Sequence, residues 1–205
     1  MENSMIIEDF GPRVTSVWNG LRPATRHLVE RAWRSPAAAT TAEVTKGAPY
    51  DPRADRELSQ LLAALDERAT SVAAGTEDQS SCKARRLADA CANMLSQQTQ
   101  SAEVFAQLIE RAHTRQEYAL IDQLANGMSM RLAPSELCEM ARSGNVVVRA
   151  LANEVLAQAP PSLLKALLLD PIDAEVARSV LERQAHEFGL EDARRVLHEY
   201  EEFGN

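Results

Sequence analysis

The chain has 205 residues, of which 45% are hydrophobic and 25% charged, an ordinary composition for one globular domain or slightly more. Its formal net charge is −8. Residues 101–205 carry 10 basic and 17 acidic side chains, and this excess of negative charge argues against general binding of nucleic-acid backbones there.

The cysteines and the N-terminal residues indicate the cellular compartment. Three cysteines, Cys82, Cys91 and Cys138, form no CxxC pair, which favours reduced thiols, and we expect all three to be small buried hydrophobes. The start MENSMIIEDFG lacks the features of a signal peptide, and no apolar stretch reaches the ~18 residues of a membrane span. We therefore expect a cytoplasmic protein without membrane contact. Arginine far outnumbers lysine. Alanine is also abundant, and both features are typical of proteins from GC-rich bacterial genomes.

The first 52 residues predict two segments. Residues 1–34 are expected to form an N-terminal segment and a helical region that begins near Val14, with Pro23 opening its main helix. Residues 35–52 contain three prolines and runs of alanine and threonine, so we expect a flexible linker that orders on binding a partner.

Residues 53–205 predict a single helical-repeat domain. Asp51 is suited to cap its first helix and Pro52 to open it. Apolar side chains then recur at helical spacing along four segments. These stripes are Leu58, Leu61, Leu62, Leu65, Ala69 and Val72; Ala84, Leu87, Ala88, Cys91 and Leu95; Val104, Phe105, Leu108, Ile109 and Ala112; and Tyr118, Ile121, Leu124, Ala125 and Met128. Shorter helices are predicted over about 134–142, 145–158, 162–169, 173–187 and 191–202.

Two of these segments repeat with a period of about 25 residues. Residues 137–156 and 163–181 both predict a helix, a tight turn and a second helix. The first helices align Leu137 with Leu163 and Ala141 with Leu167. After a shift of one residue at the turn, the second helices align Leu151, Ala152, Val155 and Leu156 with Val176, Ala177, Val180 and Leu181. A weaker copy places Leu120, Leu124 and Met128 before Val148, Ala152 and Leu156.

Helical hairpins of this kind cannot bury their apolar faces alone and therefore stack on their neighbours. We expect an all-α fold of about 8–10 helices, arranged as hairpins in a short right-handed α-solenoid.

The stretch SGNVVVRALANEVL resembles the sequence signature of the second helix in HEAT-type repeats. In that signature a Val-Arg pair comes after a short turn, and an alanine stands four residues after the valine. LLLDPIDAEVARSVL is similar, with one inserted residue and with Arg178 two residues after Val176. These hairpins are shorter than usual HEAT repeats and look like the short repeats of uncharacterised bacterial proteins. The resemblance covers roughly 120–184 and implies a HEAT/ARM-like fold. HEAT-like proteins include adaptors, pigment-attachment lyases and DNA-repair glycosylases, so the resemblance leaves the activity open.

Arg149 stands in the first turn of the otherwise apolar helix after residue 145. The resemblance implies that its side chain points along the array and pairs with carbonyls or a carboxylate of the neighbouring repeat. Alternatively, Arg149 lies on the concave surface and grips an acidic partner.

No catalytic set or cofactor motif is evident, so we expect a non-enzymatic protein–protein interaction module, an adaptor or scaffold, without cofactor or metal. Its partner is expected to be another protein, with self-association as a further option. The candidate partner-binding residues are Arg149, Asn153, Arg178 and Glu182 on second helices, and Arg22 and Arg26 in the basic segment 13–34.

Three other interpretations of the sequence remain open. Residues 186–202 hold two histidines and six carboxylates that could ligate a metal, but a charged terminal helix also fits a solvated cap of the array. A HEAT-like enzyme or repair-type nucleic-acid-binding protein would need Trp18 and Trp33 in a basic groove beside Arg22 and Arg26. A structural subunit of a larger assembly fits the sequence equally well.

Overall fold

The computed structural model describes residues 7–34, 50–71 and 79–203. Over these ranges the chain forms eleven α-helices, one short 3-10 helix and no strand. This confirms the all-α expectation, with more helices than the 8–10 predicted. Most of the predicted linker 35–52 lies outside the described residues, as does Val72 of the first apolar stripe. None of the helices in the described ranges is both long enough and apolar enough to cross a lipid bilayer.

The helices follow the chain as two sets. The first is a 3-10 helix (Ile7–Phe10), α1 (Pro12–Gly20), α2 (Pro23–Arg34), α3 (Pro52–Ser71) and α4 (Gln79–Gln98). The second is α5 (Ala102–Thr114), α6 (Tyr118–Arg131), α7 (Pro134–Ala141), α8 (Val146–Ala157), α9 (Pro161–Leu167), α10 (Ala174–His186) and α11 (Glu191–Phe203).

Local chemistry sets several helix starts. Helices α2 and α3 begin at Pro23 and Pro52, as predicted, because a proline fits the first helical position, where the backbone has no partner for an N–H. Asn145 caps α8, as predicted: its Oδ1 accepts hydrogen bonds from the backbone nitrogens of Val147 at 2.9 Å and Val148 at 3.2 Å.

The helices divide into two compact units, Met1–Thr99 and Gln100–Asn205, here called the N-terminal and C-terminal units. In the N-terminal unit α3 packs along α4 and against α1, while α2 packs on both α3 and α4. The predicted helical-repeat domain, residues 53–205, spans parts of both units. The apolar stripes of α3 and α4 are buried in the same unit as α1 and α2.

In the C-terminal unit the helices pack on helices one, two or three places away along the chain, and the pairs three places apart are α5 with α8 and α7 with α10. The hairpin partners α5–α6, α7–α8 and α9–α10 are in contact. The odd-numbered helices α5, α7, α9 and α11 contact one another in series, and so do the even-numbered helices α6, α8 and α10. Corresponding pairs on the even helices are at most 1% exposed: Leu124 and Met128, Ala152 and Leu156, and Ala177 and Leu181.

The structure corrects the predicted register of α9. Leu163, aligned by sequence with the buried Leu137, is 51% exposed, whereas Leu164 is 0% exposed. By burial, Leu137 and Ala141 therefore correspond to Leu164 and Leu168, one residue later than predicted. The second-helix alignment shows no such offset, since each of its four residue pairs shares one burial class.

The stripe of α6 is buried only in part. Tyr118, expected on the apolar face, is 63% exposed, Ile121 and Ala125 are half-buried, and only Leu124 and Met128 are buried. Tyr118 is the first residue of α6, where the chain leaves the turn after α5. By contrast, all five residues of the stripe on α5 are buried as predicted: Val104, Phe105, Leu108, Ile109 and Ala112.

Candidate functional site

The predicted partner-binding residues on α8 bind within their own hairpin. The Nη1 atom of Arg149 donates to the carbonyl of Ser143 at 2.8 Å, and the Nδ2 atom of Asn153 donates to the carbonyl of Arg149 at 2.9 Å. Arg149 therefore pairs with a carbonyl, as the resemblance implied, but in the turn between α7 and α8 and not in a neighbouring repeat. Its half-buried side chain stabilises that turn.

The two predicted residues on α10 are more accessible. The guanidinium of Arg178 lies 5.3 Å from the ring centroid of Tyr200, a cation–π contact that ties α10 to α11. Glu182 is exposed, and within the described ranges its side chain makes no hydrogen bond or ion pair. Of the four candidates on second helices, Glu182 is therefore the one whose charge is fully presented to solvent.

Arg22 and Arg26 belong to the N-terminal unit and stabilise it. Arg22 binds Glu57 through Nε and Asp51 through Nη2, both at 2.8 Å, and its hydrogen bond holds the pKa of the Asp51 carboxyl below its ordinary value. Arg26 donates to the carbonyls of Trp18 at 3.0 Å and Asn19 at 2.6 Å, which lie in the last turn of α1.

The tryptophans of the predicted nucleic-acid groove are buried. Trp18 is 9% exposed and Trp33 is 5% exposed. The Arg86 guanidinium covers the Trp33 ring at 5.0 Å from its centroid. Neither indole is therefore open as a platform on which a base could stack.

The acidic and histidine-containing stretch 186–202 forms most of α11. Many of its carboxylates are neutralised by nearby cations: Glu199 pairs with Lys165 at 2.5 Å, Asp192 with Arg195 at 2.6 Å, and Glu191 with Arg194. The Nε2 atom of His198 lies 3.6 Å from a Glu202 carboxylate oxygen. Across the part of the chain that the structure describes, no three His, Cys, Asp or Glu side chains are grouped to hold a metal ion.

The cysteines differ in accessibility. Cys91 and Cys138 are buried as predicted, but Cys82 is exposed, because it lies off the buried side of α4 formed by Ser81, Ala84 and Leu87. Burial, reinforced by the negative charge of Asp173, raises the pKa of the Cys138 thiol to about 11. Cys138 is therefore a neutral thiol at physiological pH.

We expect iodoacetamide at mildly alkaline pH to modify the native chain once, at Cys82, because alkylation needs an accessible thiolate. Intact-mass and peptide mass spectrometry would locate the label. Cys82→Ser should abolish the rapid reaction, and denaturant should expose all three thiols. Rapid labelling of Cys138 in the folded chain would contradict its described burial.

Exposed apolar side chains are the feature that sequence reasoning missed. Eight large hydrophobic residues in the described ranges are exposed, and all belong to the C-terminal unit: Tyr118, Met130, Val146, Leu163, Leu169, Ile172, Phe188 and Leu190. Three of them are Val146, the first residue of α8, and Leu169 and Ile172 in the turn before α10; they are 66%, 82% and 70% exposed. These three residues are here called the turn edge. Apolar residues beside Asp170-Pro171 were the available sequence signal.

The two turns of the turn edge are joined by Arg142. Its Nη1 atom donates to the Ile172 carbonyl at 3.2 Å and to Oδ1 of Asp173 at 2.7 Å. Asp170 accepts a hydrogen bond from the Ile172 nitrogen at 2.8 Å, which fixes the turn before α10. The turn between α7 and α8 and the turn between α9 and α10 are therefore hydrogen-bonded to each other.

Comparison of the chain with protein-family models, with curated proteins and with solved structures gives no significant match. The resemblance to HEAT-type repeats therefore rests only on the sequence motifs of α8 and α10.

Proposed function

We propose that the chain is a non-enzymatic protein-binding module whose C-terminal unit is a short right-handed α-solenoid of HEAT-like hairpins. The serial contacts among odd-numbered and among even-numbered helices support this arrangement, since stacked repeats contact mainly their neighbours. The matching burial of Ala152 with Ala177 and of Leu156 with Leu181 supports it further.

The observation that carries protein binding is the concentration of exposed apolar side chains in one unit. All eight large exposed hydrophobic residues of the described ranges lie between Tyr118 and Leu190. Single exposed apolar residues are ordinary on protein surfaces, but neighbouring ones mark interaction sites. The exposed side of α10, here called the second-helix face, adds two accessible charged residues, Arg178 and Glu182.

The test is capture of partners from a native extract on the tagged full-length chain, followed by crosslinking and mass spectrometry. Since the chain has only three lysines, Lys46, Lys83 and Lys165, the crosslinker should also target carboxylates. We expect a saturable protein partner whose crosslinks fall within residues 100–205.

A matched pair of variants locates the contact. Glu182→Lys reverses an exposed charge of the C-terminal unit, and Glu8→Lys makes the same change at an exposed residue of the 3-10 helix in the N-terminal unit. If the second-helix face binds the partner, Glu182→Lys reduces capture and Glu8→Lys does not. Recovery of the chain alone, or of partners crosslinked only to the N-terminal unit, would refute the proposal.

A further inference from the structure

The turn edge combines exposed apolar groups with a fixed backbone. Val146 follows the Asn145 cap of α8, and Ile172 is held on both sides, since its nitrogen binds Asp170 and its carbonyl binds Arg142. A surface that is already ordered loses little conformational entropy when a partner binds it. The turn edge is therefore a preorganised apolar surface.

The net charge around the turn edge is negative. Arg142 is paired with the Asp173 carboxylate, whereas Arg149 binds the neutral Ser143 carbonyl and keeps its positive charge. The exposed carboxylates of Glu139 at the end of α7, Asp170 in the turn and Glu175 at the start of α10 form no ion pair within the described residues. These three carboxylates outweigh the single cation of Arg149, which is half-buried.

We propose that the turn edge is the docking site for a segment of another protein that presents aliphatic or aromatic side chains next to lysine or arginine side chains. This inference rests on the proposed function and specifies its surface and partner chemistry. The partner's apolar groups lie against Val146, Leu169 and Ile172, and its cations face the three carboxylates. Because three residues form a small surface, the complex is weak and sensitive to salt.

The same charges disfavour other occupants. An acidic peptide or an anionic lipid surface would meet the carboxylates of Glu139, Asp170 and Glu175, whose negative charge Arg149 offsets only in part. A second copy that docked through its own turn edge would bring like charges together.

The experiment uses the isotope-labelled full-length chain and two synthetic amphipathic peptides, each of about 14 residues, near the length at which isolated helices begin to form. One peptide is built from leucine and lysine, and its twin carries glutamate in place of lysine. We expect the lysine peptide to shift amide resonances in residues 139–149 and 168–176, with an affinity that falls as salt is added. We expect the glutamate peptide to bind at least about tenfold more weakly.

Four variants test the contacts. Leu169→Ser and Ile172→Ser should each weaken binding of the lysine peptide by about tenfold, the value expected for loss of one buried aliphatic contact. Asp170→Asn keeps the oxygen that binds the Ile172 nitrogen, so it should leave the fold unchanged while it flattens the salt dependence. Met130→Ser removes another exposed apolar side chain, 85% exposed on α6, and should leave binding unchanged.

Equal binding of both peptides, absence of binding, or an unchanged affinity of Ile172→Ser would overturn the turn-edge proposal. Shifts confined to the second-helix face around Glu182 would refute the turn edge but support the protein-binding function. Concentration-dependent self-association that Ile172→Ser abolishes would make a second copy the occupant and also overturn the proposal. Because the capture experiment does not use these peptides, failure of the turn edge can be distinguished from failure of the proposed function.

Discussion

Leu164→Ala is expected to lower the free energy of unfolding by about 2–5 kcal/mol, whereas Leu163→Ala lowers it by less than about 1 kcal/mol. The two residues are adjacent and chemically identical, but Leu164 is 0% exposed and Leu163 is 51% exposed. Truncating Leu164 leaves a cavity where α9 packs on α7, α10 and α11. Truncating Leu163 removes atoms that are largely in contact with water.

Urea unfolding followed by far-ultraviolet circular dichroism measures both changes, and unchanged slopes would show that the midpoints report stability alone. Because both variants carry the same change in a helix-forming segment, each is the control for the other. If Leu163→Ala is the more costly change, α9 is turned by one residue and the predicted alignment of Leu137 with Leu163 is right. Equal small costs would show that α9 contributes little to the core.

Helix starts were predictable because their causes are local. Pro23, Pro52 and Asn145 act through their own backbone geometry or through side-chain bonds to nearby amides, and each begins or caps a helix in the structure. The buried face of α5 was predictable for a similar reason. Its apolar residues recur on a single side, so the periodicity fixes which side faces the core.

The register of α9 could not be predicted in this way. Residues 163–169 read LLKALLL, so leucines occupy several faces of the helix and the pattern does not specify which one is buried. The same limit applies to α3 and α4, whose stripes predict burial but do not specify the partner. Their packing against α1 and α2 is decided by tertiary contacts.

The components of the turn edge are still further from the sequence pattern. Arg142 and Asp173 are 31 positions apart and meet because successive hairpins place their turns side by side. Exposure of Leu169 and Ile172 depends on the direction in which the turn before α10 projects. Only the three-dimensional arrangement brings the two turns together.

Asp173→Ala is expected to cost about 2–3 kcal/mol of stability, because it removes the almost fully buried carboxylate that accepts a charged hydrogen bond from Arg142. Asp173 is 5% exposed and lies 2.7 Å from Arg142, whose side chain is 36% exposed, so solvent reduces the cost below that of a fully buried pair. Asp173 occupies the N-cap position of α10 without capping that helix through its side chain. The stabilising contact is therefore the one between hairpins.

A double-mutant cycle with Arg142→Leu isolates this contact from other effects of the substitutions. We expect Arg142→Leu combined with Asp173→Ala to cost clearly less than the sum of the two single losses, because the double variant leaves neither charge without its partner. Asp122→Ala, on the exposed surface of α6, should change stability by less than about 0.5 kcal/mol. Additive losses in the double variant would show that Arg142 and Asp173 stabilise the unit independently, and their hydrogen bond would then not explain how the two turns are held together.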